Sequence, residues 1–277
     1  MGNFFEKMER EINFHLEYEK IENIVLNERD YNSESINKWI ERNFTQWRFK
    51  RNYATLNELR DKIGFSYVKD GNTYVPVAYE EITINNFIDY CEMLINLIFP
   101  LFKIDTYYCE KRISDVIDII VFDLESINHK IHETNENKLI IVQKDAKAIA
   151  VADVVEANLA DSIIEYNHHL LKGNLEKKKT ILKKIADSLE PQRSILKKIN
   201  PTIENDFFFM VNNMNVRHNN CDPTDEKRYQ KVFAELSSEE QEELYDMIYQ
   251  EGLMAHLLIE QEERNTIISK LKKNMGR

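Results

Sequence analysis

Nine consecutive positions, Asn212 to Asn220, hold an arginine, a histidine and five amides. Arginine is a permanently charged planar fork that grips anions, and histidine exchanges a proton near neutral pH. Side by side, Arg217 and His218 suit the cleavage of a phosphodiester. His218 would move a proton at a ribose 2′-hydroxyl or at the leaving oxygen, and Arg217 would stabilise the crowded phosphate charge. Asn212, Asn215, Asn219 and Asn220 are candidates to position substrate or imidazole. Chemistry of this kind needs no metal and no cofactor. A structural reading fits the same residues: a cation and an imidazole beside the free carbonyls of a helix end, with asparagines tolerating left-handed backbone.

Other chemically capable groups are sparser. Glu165-x-x-His168 has the spacing of a carboxylate-bridged metal ligand pair on a helix, but a second such pair and two more glutamates are missing. His168 and His169 are therefore read as one core and one surface imidazole, or as auxiliaries that complete a site around Arg217. His129 and His132 would share one helix face. Cys91, Cys109 and Cys221 form no CxxC pair, so neither a disulfide framework nor a structural zinc site is expected. Phosphate-loop, dinucleotide-binding and serine-esterase motifs are absent from the sequence.

The charge is uneven. The net charge is −11, which disfavours a protein that coats nucleic acid over its whole surface. Between Lys172 and Lys198, nine basic residues stand against three acidic ones. Lys177, Lys178, Lys179, Lys183 and Lys184 are either the solvated face of a helix or a local phosphate-binding surface. From Pro201 to Glu260 the balance reverses, with thirteen acids against four bases.

The elements that carry these residues are mainly helical. Only 6 Gly and 5 Pro interrupt 277 residues, while 14 Phe and 13 Tyr supply packing surface. Apolar spacing predicts helices over 3–28, 35–48, a stretch from Thr55 to Gly64, 83–102 and 106–133. Further helices are expected over 153–171, 174–189, 192–199 and 202–214. The last is expected over 238–273, opened by a capping box at Ser237 and Glu240, with Leu244, Met247, Ile248, Met254, Leu257 and Leu258 as its apolar face. Asp222 with Pro223 reads as another helix start. Asp70-Gly71 between short alternating runs marks a β-hairpin near 65–77 with Pro76 on an edge strand, and 138–143 reads as a strand. The fold class expected is mainly α, a multi-helix bundle with a small β-hairpin insertion. The chain is divided into an N-terminal part, 1–82, and a C-terminal helical domain, 83–277; 135–150 is a second candidate boundary.

A helical chain with an Arg–polar–His segment joining two late helices resembles the HEPN superfamily. The likeness covers roughly residues 83–273 and rests on Asn215-Val216-Arg217-His218-Asn219-Asn220. Arg217 and His218 match the first two positions of that superfamily's motif. Its closing histidine is replaced, at the expected positions, by Asp222, Pro223 and Thr224. The resemblance implies an RNA endonuclease of prokaryotic defence or stress, acting as a homodimer and sometimes restrained by an antitoxin. In that reading His218 takes over the catalytic imidazole, or the chain is an inactive relative. The alternative is a non-catalytic helical module that binds another protein. No signal sequence is read at the N-terminus and no apolar run is long enough for a bilayer, so a cytoplasmic protein without membrane contact is expected.

Overall fold

The computed structural model describes residues 12–29, 34–71, 73–77, 81–104 and 110–275. The fold is mainly α, with two small two-stranded antiparallel sheets. The chain separates into two compact units, 1–141 and 142–277. That division falls inside the second of the two boundaries expected from sequence. Position 82 lies instead within one continuous core, where Tyr18, Ile21 and Trp39 are buried with Phe87, Tyr90 and Leu94.

The first unit contains α1 (Phe14–Asn27), α2 (Ile36–Asn43), α3 (Leu56–Ile63), the hairpin β1 (Tyr67–Asp70) and β2 (Thr73–Pro76), α4 (Ile84–Phe102) and α5 (Glu110–Ser126). Local chemistry sets most ends. Thr55 caps α3, Gly64 stops it with a left-handed φ of 86°, and Thr83 with Asn86 forms a capping box on α4. Two helix asparagines stand in for missing strands. Asn27 exchanges hydrogen bonds with the Tyr74 backbone at 2.8 and 2.9 Å, and Asn96 does the same with Leu139 at 3.0 and 2.6 Å. Each satisfies an otherwise open strand edge. In the centre, Glu22 is buried against Arg60 and accepts a 2.6 Å hydrogen bond from Tyr90.

Two expectations are corrected here. The helix expected to reach 133 ends at Ser126, and His129–Glu133 forms β3, paired with β4 (Leu139–Gln143). His129 and His132 therefore lie on opposite faces of a strand rather than on one helix face. The expected start of α5 at Thr106, and residues 3–11 of the expected first helix, fall outside the described residues.

The second unit contains α6 (Ala146–Ala152), α7 (Ala157–Glu165), α8 (Leu175–Leu189), α9 (Arg193–Ile199), α10 (Pro201–Asn213), the single turn α11 (Lys231–Ala234) and α12 (Ser238–Asn274). The expected helix over 153–171 is thus confined to α7, followed by a 3-10 turn at His169–Leu171. The helix expected at Asp222-Pro223 does not form. Asp222 Oδ1 instead accepts from the backbone and hydroxyl of Thr224, closing a turn.

The capping box at Ser237 starts α12, which presents Tyr245, Ile248, Tyr249, Leu253 and Ile259 to the core. Gly252 lets α12 approach α8 and α10. A Cβ there would lie 2.7 Å from Ile185 Cγ2 and 3.1 Å from Phe207 Cε2. Gly252→Ala should gain about 1 kcal/mol of helix propensity and lose more to overpacking, typically about 1–3 kcal/mol. A lowered denaturation midpoint is the expected result.

Candidate functional site

The segment between α10 and α12 is held by its own amides. Asn215 adopts a left-handed φ of 58°, which ends α10 and turns the chain. Its amide donates to Asn220 Oδ1 at 2.9 Å, and the Asn220 amide donates back to Asn215 Oδ1 at 3.2 Å. Asn220 is buried, and its side-chain NH₂ donates to the Arg228 carbonyl at 2.7 Å. Asn213 donates to the Phe209 carbonyl and accepts from Gln230. Val216 is buried as an apolar anchor. Asn212 is half-buried, and exposed Asn219 accepts a long bond from the Cys221 amide. Asn215 and Asn220 thus shape the loop.

Arg217 is committed to a different helix end. Its guanidinium donates to the Ala186 carbonyl at 2.8 Å and to the Glu190 carboxylate, and lies 3.9 Å from Asp187. The Phe208 ring lies 5.4 Å from the guanidinium carbon. The side chain is only 15% exposed. Ala186 belongs to the last turn of α8, where the dipole favours a cation; its carbonyl accepts from both the Glu190 amide and Arg217. The expected helix-end role is therefore realised at α8 rather than at the helix from which Arg217 emerges. His218, next in the chain, is half-exposed.

His168 and His169 pack edge to face with centroids 4.7 Å apart, and His168 is buried in a β-bridge with Val142. The helix has already ended at Glu165, so Glu165-x-x-His168 lacks the helical geometry of a ligand pair. Tyr166 beside them meets α8 at Lys178, whereas Arg217 meets it at Ala186. Eight residues along a helix is about 12 Å. Among the described residues, no group of three or more His, Cys, Asp or Glu could hold a metal ion.

The lysines of α8 divide among several directions. Lys178 is buried, pairing with Glu242 at 2.7 Å and Asp246 at 2.6 Å. Lys184 donates to Ser162 at 2.8 Å, and Lys177 faces Glu165 at 3.4 Å. Lys179 and Lys183, four apart, share another side of the helix. The five do not form one phosphate-facing surface.

A cavity of about 570 Å³ opens beside the C-terminal half of α8, walled by Val154, Leu159 and Ile259 and bordered by Lys184, Asp187, Glu260 and Glu263. Sequence reasoning missed it, because its residues come from three separated segments. His256 lines it and lies 3.0 Å from Ser188 Oγ, which in turn donates to the Ile185 carbonyl at 2.8 Å. With the serine proton so placed, the imidazole is the donor of the pair. That is the reverse of a base activating a nucleophile. Burial lowers the His256 pKa to about 4.

No family model, curated protein or solved structure matches the chain. Among the described residues, no helix is long and apolar enough to cross a membrane.

Two measurements follow. Arg217→Ala should lower stability by roughly 1–3 kcal/mol, because partly buried acceptors lose a charged donor, while His218→Ala should be nearly neutral. Thermal unfolding of both variants checks this. His256 stays neutral in the folded chain down to about pH 4, whereas in the unfolded chain it takes up a proton near 6.5. Its contribution is present above pH 6.5 and is lost as pH falls towards 4, by up to about 3 kcal/mol. His256→Gln should flatten the acid limb of the stability–pH curve in that window.

Proposed function

We propose that this chain is a non-catalytic helical module that works by protein association, through the distal part of α12. One observation carries this reading. Residues 261–275 are all exposed, yet Ile267, Ile268, Leu271 and Met275 are 58, 46, 55 and 71% accessible along one stripe. An apolar stripe on an otherwise charged helix is the form of a helix that buries its face against another. The apolar positions expected from sequence lie earlier. Of those, Ile248 is buried in the core of this unit and Met247 is exposed.

RNA cleavage at Arg217 and His218, with HEPN kinship and pairing of two copies, is the second reading. What favours it is the placement of half-exposed His218 on a loop directly beside Arg217. Against it stands the engagement of the guanidinium by Ala186 and Glu190.

Ile267→Glu with Leu271→Glu separates the two. The double variant should keep the wild-type melting temperature, because both side chains are exposed. In extracts of expressing cells the wild type should run as a particle larger than its 33.0 kDa. The double variant should run at that mass. Equal sizes, together with RNA cleavage that His218→Ala abolishes, would replace the association reading with the nuclease.

A further inference from the structure

The distal stripe is self-complementary, and we infer that its partner is a second copy of this chain, paired antiparallel over residues 260–273. The inference rests on the association reading and names its occupant. Arg264, Ile267, Leu271 and Asn274 repeat at alternating spacings of three and four, with Ile268 and Met275 on one border. That is the seam spacing of a two-helix coiled coil. On the opposite border stand Glu263 and Lys270, two helical turns apart and exposed. Neither forms an ion pair within the chain among the described residues.

Charge decides both orientation and partner. Acidic Glu260, Glu262 and Glu263 open the segment, and basic Lys270, Lys272 and Lys273 close it. The helix dipole accounts for lysines near the C-terminus but not for three glutamates placed three turns earlier. Parallel pairing of two copies would set acidic against acidic and basic against basic. Antiparallel pairing about a two-fold axis near Thr266 and Ile267 sets each Glu263 against Lys270 of the other copy. The same operation places each acidic end beside the other copy's basic end, so one patch serves both sides as an isologous interface. Arg264 is already held by Glu260 at 2.7 Å, which neutralises the one cation inside the stripe. Two helices of about 15 residues bury an area at the low end of specific interfaces, below about 1,200 Å². The expected complex is a reversible dimer.

Sedimentation equilibrium of the purified chain over roughly 1–50 µM tests the inference across the range expected of such small interfaces. The wild type should approach twice 33.0 kDa at the upper end. Lys270→Glu should raise the dimer dissociation constant about tenfold or more, and adding Glu263→Lys to the same chain should restore it to within about threefold. A wild type that stays monomeric overturns the self-pairing. So does a Lys270→Glu chain that pairs as tightly as wild type, or a charge-swapped chain that fails to recover. If the purified chain is monomeric while extracts hold a larger particle that Ile267→Glu with Leu271→Glu dissolves, the association reading survives and the second copy is excluded. If the extract particle is also unchanged, both fall.

Discussion

A helix can bury only the length its neighbours cover. α12 has 37 residues, about 55 Å of helix, while α8 and α10 have 15 and 13, close to 20 Å each. The contact at Gly252 fixes where that coverage is centred, because it admits Ile185 and Phe207 to within van der Waals range of the α12 backbone. Burial ends at Ile259. Beyond it neither Gly nor Pro interrupts the helix as far as Met275, so hydrogen bonding carries it past the body that nucleated it. The uncovered turns and their aliphatic stripe follow from that mismatch of lengths.

The same unit turns Lys178 and Arg217 inward. Buried charge is tolerated only when paired and hydrogen-bonded. Lys178 meets two carboxylates of α12, Arg193 meets the buried Glu204 at 2.6 Å, and Arg217 closes the end of α8 with Glu190. In the first unit Glu22, Arg60 and Tyr90 follow the same rule. Within the stretch that looks cationic along the chain, Lys177, Lys178 and Arg193 meet carboxylates in space. On the distal turns of α12 the exposed charge has its two signs at opposite ends.

Local signals were legible in the sequence where one residue settles the matter. Ser237 with Glu240 starts a helix, Gly64 ends one, and Asp70-Gly71 marks a hairpin. Signals that depend on distant partners were not. His129–Glu133 has helix-compatible apolar spacing and becomes a strand because β4 pairs with it. Asp222-Pro223 has helix-start chemistry, yet no amphipathic stretch follows to bury. The arginine, histidine and asparagines at 212–220 were legible as unusual chemistry. Their task was not, because Ala186 and Glu190 lie about thirty positions upstream. The expected apolar face of α12 packs largely on the body, whereas the dense charges around Ile267 and Leu271 mask a further apolar spacing along the distal turns.

These features converge on one claim: the distal turns of α12 are an interface that the chain itself leaves open. Amide hydrogen exchange over residues 261–274, measured as a function of protein concentration, addresses it most directly. Pairing predicts that these amides become more protected as concentration rises, while those around Gly252 stay unchanged. Exchange at the same rate across the whole range, with the distal turns as labile at high concentration as at low, would contradict it.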